Sequence, residues 1–266
     1  GGADGGGAAG DCLAEINEGL RRQGPAAARG PWLALESNPK VFNDFGQHIG
    51  VPDGWEFVDV LGLDAELLEL VPQPVAALVL LFPCTAKIYA ARKSEDDELR
   101  IGRRRSSEAL FFVRQVPDFG NACGTIACLH AVSNARHVLG LAEDAPLEKF
   151  VRDHARDEPE TRGRALLEAD ALKAPSDAAA AGVDAQTACP PRDGPPLDHH
   201  FCAFVHTPGG HVVELDGTKR CAVDHGPVRE TFLADAAAAV RRWFVAADPD
   251  INGFALLALA RAGPAV

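Results

Sequence analysis

The sequence predicts a single α+β domain in which helices pack around a mostly antiparallel sheet. Segments with strand-like alternation and segments with helical periodicity follow one another without a regular strand–helix–strand rhythm. The chain has 266 residues, of which 47% are hydrophobic, so it is long enough to bury a full core. No internal repeat is visible in the sequence at the periods of solenoid proteins.

Local patterns predict the individual elements. Asn38 followed by Pro39 is a helix-start signal, and Asp64 is a second candidate cap. The predicted helices cover residues 11–22, 39–49, 64–70, 121–141, 147–155 and 235–245. The predicted strands cover residues 55–60, 75–82, 109–114, 199–206, 211–215 and 253–259.

Three segments are predicted to lie outside these elements. Residues 94–105 carry a run of acidic and then basic side chains, which is typical of a solvated loop. Residues 159–196 are rich in alanine and proline and predict an exposed loop, and a loop of that length is usually functional or disordered. Residues 1–31 begin with glycine and alanine almost exclusively and predict a flexible extension, which leaves residues 32–262 as the domain.

Charge, hydropathy and cysteine usage exclude several classes of protein. With 26 Lys+Arg against 38 Asp+Glu, the formal charge is −12, which disfavours nucleic acid and favours a partner with a basic surface. The longest apolar run, residues 75–82, is far shorter than the ~20 residues that span a bilayer, so we expect no membrane span. Seven irregularly spaced cysteines predict reduced thiols, no metal site and a cytoplasmic location, with the nucleus as an alternative.

A turn of small residues, Gly120-Asn-Ala-Cys-Gly-Thr125, leads directly into an apolar helix with Cys123 at its start. A thiol at a helix N-terminus lies near the positive end of the helix dipole, which stabilises a thiolate. The unpaired backbone N–H groups there can also stabilise an oxyanion when a carbonyl is attacked. Cys123 is therefore the candidate nucleophile, and the alternative is a small buried cysteine at a helix start.

The predicted hairpin supplies a base and a carboxylate. Its turn at Pro208-Gly-Gly210 brings His200 opposite residue 216 or 217, so that Asp216 becomes its neighbour. A slip of one residue would move either side chain to the other face of the sheet. His199, on the other face of the same strand, is the rival base.

Gln115 and His130 are two further polar side chains to compare as candidates for a role in the chemistry at Cys123. Gln115, at the end of an apolar strand and eight residues before Cys123, is a candidate amide donor to an oxyanion, although a glutamine there is often only solvated. His130 lies two helical turns beyond Cys123, too far to take the proton of the thiol.

Several separated motifs follow one another along the chain, namely Trp32-Leu-Ala-Leu-Glu-Ser-Asn-Pro39, Phe57-Val-Asp-Val60, Pro72-Gln-Pro-Val75, Asn121-Ala-Cys-Gly-Thr125, His200-Phe201 and Glu214-Leu-Asp-Gly217. With these motifs in this order, the chain resembles the ubiquitin C-terminal hydrolases, and specifically the short single-domain branch of these papain-like cysteine deubiquitinases. Together the motifs span nearly the whole predicted domain. The segment from Gln115 to Cys123 is two residues longer than the pattern of the family.

The resemblance implies a role for each candidate residue. Cys123 would be the nucleophile, His200 the general base and acid, Asp216 its orienting carboxylate and Gln115 the oxyanion donor. It also implies a knotted α/β/α cysteine-protease-like fold in which residues 159–196 form a crossover loop above the active site. No metal or organic cofactor is implied.

The resemblance further implies ubiquitin as the partner, carrying small or disordered adducts after its C-terminal glycine. Glu36 and Asp59 are then the expected ubiquitin contacts, and the net charge of −12 suits a basic partner. We expect a monomer. Two alternatives stay open, a catalytically silent ubiquitin-binding module and a hydrolase that prefers a ubiquitin-like protein.

Overall fold

The structure is a computed structural model that describes residues 31–187, 189–190 and 197–263. Within these residues there are eight α-helices and one 3₁₀ turn, Val245–Ala247. The helices are α1 Pro39–Ile49, α2 Ala65–Leu68, α3 Ala86–Arg100, α4 Cys123–Leu139, α5 Pro146–Asp153, α6 Pro159–Leu167, α7 Asp170–Ala180 and α8 Phe232–Trp243. The strands are β1 Trp55–Asp59, β2 Val75–Pro83, β3 His199–His206, β4 His211–Leu215, β5 Val223–Pro227 and β6 Ala255–Arg261.

All six strands form one sheet in the order β1-β6-β2-β3-β4-β5, and every neighbouring pair is antiparallel. The last strand, β6, enters between β1 and β2 and pairs with both. This arrangement confirms the predicted α+β class with an antiparallel central sheet flanked by helices. The predicted extension over residues 1–31 and the helix over 11–22 lie, apart from Pro31, outside the described residues.

The sheet separates two hydrophobic cores because alternate side chains of a strand point to opposite faces. In β2, Ala77 and Val79 belong to the core that contains α1 and α4, whereas Leu78 and Leu80 belong to the core under α8. The same alternation runs along β3, where Phe201 and Ala203 face α4 and Cys202 and Phe204 face away from it. Both central strands are thus buried on both faces, as predicted for β2.

The first helix follows its sequence signals closely. The side chain of Asn38 accepts a hydrogen bond from the backbone N–H of Lys40, and Pro39 opens α1. Gly50 ends the helix with a left-handed φ of 115°.

The predicted loop over residues 94–105 is wrong for its first part, because α3 continues to Arg100. The side chain of Thr85 caps the helix by accepting a hydrogen bond from the N–H of Ile88. Ile88, Glu95 and Leu99 then bury one face of α3. The charged composition concealed this helix because Glu95 is buried with ion-pair partners, not solvated.

The predicted strand over residues 109–114 is buried at Phe111, Phe112 and Val113 but pairs with no other strand among the described residues. Side chains of α4 satisfy its backbone: the N–H of Phe111 donates to Asn134 Oδ1 at 2.8 Å and the N–H of Val113 donates to His130 Nε2 at 2.9 Å. In return, Asn134 Nδ2 donates to the carbonyl of Phe111 at 3.0 Å. Side chains of α4 therefore supply the hydrogen bonds that a neighbouring strand would supply in a sheet. The apolar pattern of the sequence does not show which of these two partners a segment will have.

The predicted loop over residues 159–196 is also wrong for its first part, because α6 and α7 occupy residues 159–180. Leu166 and Leu172 reach the core, and the guanidinium of Arg162 donates to the carbonyls of Phe112, His154 and Ala155. These buried contacts stabilise helices that the composition disfavours. The described irregular segment therefore begins after Ala180, and residues 188 and 191–196 of the predicted loop lie outside the described residues.

Two general features concern the described part of the chain alone. No helix in it is long and apolar enough to cross a bilayer. Six of the seven cysteines fall within it, and Cys84, Cys123, Cys128, Cys202 and Cys221 are free thiols.

Candidate active site

Cys123 is the first residue of α4 and lies half-buried at the edge of a cleft. The residue before it, Ala122, offers no capping side chain, so the first N–H groups of the helix are not satisfied by a side-chain cap. A cavity of about 230 Å³ opens beside the thiol, and Glu36, Cys189 and His199 line it together with Cys123. This is the position at which the sequence analysis expects a nucleophile and an oxyanion.

His200 lies at the start of β3 and is buried, with its ring packed edge-on against Phe82. Its Nε2 lies 2.9 Å from Asp216 Oδ1, which leaves Nδ1 as the ring nitrogen for the thiol of Cys123. Burial disfavours a charged ring. The charge of Asp216, the hydrogen bond to it and a further hydrogen bond with Cys123 outweigh burial and raise the pKa of His200 to about 10.

The structure therefore brings together the thiol of Cys123, the imidazole of His200 and the carboxylate of Asp216. The rival base His199 is engaged elsewhere, with Nδ1 2.9 Å from Asp198 Oδ1. His130 is fully buried beneath the site, where burial lowers its pKa to about 4, so it is a neutral acceptor for the N–H of Val113.

Four donors surround the carboxylate of Asp216. Oδ1 accepts hydrogen bonds from His200 and from the N–H and hydroxyl of Thr218, each of the last two at 2.8 Å. Oδ2 accepts from Arg92 Nη2. Burial alone would raise the pKa of this carboxyl group, but the charges of His200 and Arg92 hold it well below its usual range.

The register of the hairpin differs from the prediction. Ala203 pairs with Leu215 at the end of the ladder, and the same register continued would place Thr218, not residue 216 or 217, opposite His200. The ladder stops before that point, and Asp216 begins a turn closed by the N–H of Lys219 on the carbonyl of Asp216 at 2.9 Å. The contact between His200 and Asp216 is therefore formed by side chains beyond the paired part of the hairpin.

Arg92 is a component of the site that the sequence analysis missed. Its side chain, only 10% exposed, lies on α3 and reaches both Asp216 and Glu214, with Nη1 3.3 Å from Glu214 Oε1. The guanidinium also stacks 4.7 Å from the ring centroid of Phe82 and 5.2 Å from that of Phe244. In the sequence it precedes a charged tract and carries no signal that separates it from solvated arginines.

Behind Arg92 the ion pairs continue into a buried network. Lys219 Nζ lies 2.8 Å from Glu214 Oε1 and also pairs with Glu95, while His225 Nε2 lies 3.0 Å from Glu214 Oε2. Among the described residues, Glu95, Glu214 and His225 are one group whose ligand-type atoms lie within 4.8 Å of one another. Because the two carboxylates already pair with buried lysine and arginine side chains, the donor set does not fit a metal ion.

Gln115 lies between the turn at Asp216 and the turn before Cys123. Its N–H donates to the carbonyl of Gly217 at 2.8 Å, and its Nε2 donates to the carbonyl of Gly120 at 3.2 Å. Its buried Oε1 has no hydrogen-bond partner among the described residues. One amide hydrogen of Nε2 is left for a group at the start of α4.

The additional residues between Gln115 and Cys123 leave this contact intact. Phe119 is buried against Trp32 with ring centroids 5.6 Å apart, and the N–H of Trp32 donates to the carbonyl of Phe119 at 2.8 Å. Gly120 has a left-handed φ of 66°, and a Cβ there would lie 2.6 Å from Pro31. The longer connection is therefore anchored on the N-terminal segment while Gln115 still reaches Gly120.

The two predicted ubiquitin contacts differ in their surroundings. Glu36 lines the cavity at Cys123, and its Oε2 accepts hydrogen bonds from the N–H groups of Gln186 at 2.8 Å and Thr187 at 3.1 Å. Glu36 thus ties the described part of the predicted crossover loop to the segment before α1. Asp59 is exposed at the end of β1.

A thiol at a helix start, an imidazole and a buried carboxylate joined by hydrogen bonds form the arrangement found in thiol hydrolases. The family model described as "Ubiquitin carboxyl-terminal hydrolase, family 1" matches residues 32–246. The chain belongs to this family, as its motifs predict.

Relatives named as ubiquitin carboxyl-terminal hydrolases match most of the chain. It is 38% identical over 232 residues to a ubiquitin carboxyl-terminal hydrolase of Drosophila melanogaster, covering 87% of this chain and 98% of the relative. It is 36% identical over 228 residues to the human ubiquitin carboxyl-terminal hydrolase isozyme L1, covering 86% and 97%. The catalytic domain of Trichinella spiralis UCH37, crystallised with ubiquitin vinyl methyl ester, has a similar fold, with a TM-score of 0.67 at 18% identity over 93% of this chain and 100% of that one.

Replacement of Arg92 by leucine is expected to destabilise the fold by about 3–5 kcal/mol, because Asp216 and Glu214 would stay buried without their shared cation. The free energy of unfolding in urea measures this loss. The control is Arg220→Leu, which breaks an ion pair to Asp96 whose arginine is 43% exposed and should cost below about 1 kcal/mol. Equal losses in the two variants would contradict a special role for Arg92.

Replacement of Glu36 by alanine is expected to release the loop at residues 186 and 187, because both of their N–H groups donate to this one carboxylate. Hydrogen exchange of these two amides should accelerate by about 10-fold or more. Asp59→Ala removes an exposed carboxylate at the end of β1 and should leave their exchange unchanged. Unaltered exchange in the Glu36 variant would exclude the tether.

Proposed function

We propose that this protein is a deubiquitinating thiol hydrolase, which cleaves the bond after the C-terminal glycine of ubiquitin through a thioester intermediate. The observation that carries the proposal is the hydrogen bonding of one imidazole, that of His200, to both Asp216 and Cys123. Membership of the ubiquitin carboxyl-terminal hydrolase family supports it.

In the first step the thiolate of Cys123 faces the imidazolium of His200 and attacks the carbonyl carbon of the terminal glycine. A carbon–sulfur bond forms and negative charge moves to the carbonyl oxygen. The N–H groups at the start of α4 and the free amide hydrogen of Gln115 are the donors that would hold this oxyanion.

In the second step the tetrahedral intermediate collapses. His200 gives its proton to the leaving amine as the carbon–nitrogen bond breaks, and the ubiquitin tail stays on Cys123 as a thioester. Water then attacks the thioester carbonyl while His200 takes its proton, and the carbon–sulfur bond breaks to release the tail as a carboxylate. Asp216 keeps Nε2 of His200 occupied, so that Nδ1 carries out both proton transfers.

Ubiquitin as the partner is supported by two features of this chain. The net charge of −12 suits a basic partner surface, and the carboxylate of Glu36 lines the small cavity beside Cys123. The cavity beside Cys123, of about 230 Å³, lies under a tethered loop. It accepts an extended peptide more readily than a folded domain. We therefore propose that small or unfolded adducts are the preferred leaving groups.

Replacement of Cys123 by alanine should abolish turnover and also covalent capture of a ubiquitin that carries an electrophile at its C-terminus. The measurement is the mass of the protein after incubation with this probe. Cys189→Ala is the matched control, because Cys189 lines the same cavity and should not alter capture. Ubiquitin binding by the Cys123→Ala variant should persist.

Two results would speak against the proposal. Capture that survives in Cys123→Ala and is lost in Cys189→Ala would place the nucleophile on the loop. A wild-type protein that binds ubiquitin but neither captures the probe nor turns over substrate would be the silent binding module.

The pH dependence of kcat/KM should report the environment of His200. With a pKa raised from its ordinary value to about 10, His200 keeps its proton through neutral pH, and activity should fall as pH rises toward that value because the general acid is lost. Asp216→Asn should move this descending limb to lower pH, since the charge that raises the pKa is removed. It should also lower kcat/KM on the order of 10²–10⁴-fold.

Asp224→Asn is the control for this measurement. Asp224 pairs with His211 at 2.9 Å in the same way, but neither residue lies in the group at Cys123. Its descending limb should coincide with that of the wild type. A limb that moves equally in both variants would mean that general surface charge, not Asp216, sets the pKa of His200.

A further inference from the structure

A second cavity, of about 680 Å³, lies between the segment that follows α3 and the end of α8. It shares no lining residue with the cavity at Cys123. Four of its lining residues are arginines from two separate parts of the chain, namely Arg103, Arg104, Arg105 and Arg242. These include the basic tract that the sequence analysis interpreted only as a solvated loop.

The arginines are not equally neutralised. Arg104 pairs with Glu95 at 2.6 Å, so its charge is balanced inside the protein. Arg103, Arg105 and Arg242 have no carboxylate within 4.0 Å among the described residues. In a chain with a net charge of −12, three guanidinium groups at one cavity, with no carboxylate partner in the described part of the chain, are a local concentration of positive charge.

Two carboxylates also line the cavity, and one of them is already engaged. Asp224 Oδ1 accepts a hydrogen bond from the N–H of Gly226 at 2.7 Å, and Oδ2 lies 2.9 Å from His211 Nδ1. Glu98 is the other lining carboxylate. The positive charge of the lining arginines is therefore only partly compensated.

Trp243 orders two of the guanidinium groups. Arg104 lies 3.7 Å and Arg242 lies 5.0 Å from the centroid of its ring system. Stacking of this kind fixes the plane of a guanidinium. Arg104 already contacts Glu95 and His225 through its two Nη atoms, so among these two arginines it is Arg242 whose N–H edge is left for an anion. An aromatic base would have to compete with these arginines for the ring, so the arrangement favours an anion over a nucleobase.

We propose that this cavity binds a phosphate group, either as inorganic phosphate or as a phosphate monoester. A guanidinium donates two parallel hydrogen bonds to phosphate oxygens, and a phosphate monoester carries about −1.5 to −2 charges at neutral pH, which matches several arginines better than a single carboxylate does. The cavity has room for the group that carries the phosphate. Free phosphate and a phosphorylated serine side chain share this chemistry.

The test is calorimetric titration of the full chain with inorganic phosphate, with a short peptide containing one phosphoserine and with the same peptide unphosphorylated. Saturable binding of phosphate or of the phosphopeptide is expected. Equal affinity for the two would indicate free phosphate as the ligand. A tighter phosphopeptide, with no binding of the unphosphorylated peptide, would indicate a phosphorylated side chain.

The decisive variant carries Arg103→Gln, Arg105→Gln and Arg242→Gln together. Its control carries Arg152→Gln, Arg156→Gln and Arg164→Gln, which remove the same charge from exposed positions elsewhere. The first variant should weaken binding by at least about tenfold and the control should leave it nearly unchanged. Circular dichroism and urea unfolding of both variants check that they fold.

Two results would overturn the proposal. One is the absence of saturable binding of either phosphate probe by the wild-type protein. The other is equal weakening in both triple variants, which would assign the effect to net charge. Neither measurement depends on hydrolase activity, so this proposal and the proposed function can fail separately.

Discussion

The candidate active site depends on keeping the buried carboxylate of Asp216 charged. A carboxylate removed from water without compensation would take up a proton and could no longer orient or charge an imidazole. Here Arg92 and Thr218 supply donors in addition to His200, so the negative charge persists at a position with almost no solvent exposure. Helix α3 contributes no residue to the predicted chemistry, yet that chemistry depends on it because it carries Arg92. Phe82 and Phe244 hold Arg92 in place.

The alternation of β3 explains why the site lies at the end of a strand. His200 shares its face with Cys202 and Phe204, which pack away from α4, whereas Cys123 begins the helix that covers the opposite face. A side chain in the middle of β3 could not reach both layers, because the sheet would separate them. At the first residues of the strand the sheet ends, so the imidazole can contact a thiol from one layer and a carboxylate stabilised by an arginine from the other.

Most elements and the central residues of the site could be predicted because their signals are local. Asn38 and Pro39 mark a helix start, the run from Val75 is apolar on both faces, and Cys123 follows a turn of small residues. The errors share a cause, which is that composition does not reveal distant partners. Glu95 can lie on the buried face of α3 because Lys219 and Arg104 neutralise it. Residues 109–114 are not a strand because His130 and Asn134 take their hydrogen bonds. Arg92 has no local signal at all, since its partners follow more than 100 residues later, as the separation of 124 from Asp216 illustrates.

Side chains of α4, not a neighbouring strand, bind the backbone of residues 109–114, and this determines how precisely Gln115 is positioned relative to Cys123. Helix α4 begins with Cys123. Two and three turns later, His130 and Asn134 bind the segment that leads to Gln115. The sulfur atom of Cys123 and the carboxamide of Gln115 are thus both positioned by one helix, not by two separate layers of the protein. Small displacements of the sheet would move both groups together. The distance between the attacking sulfur and the amide that donates to the oxyanion would therefore be preserved during motions of the rest of the protein.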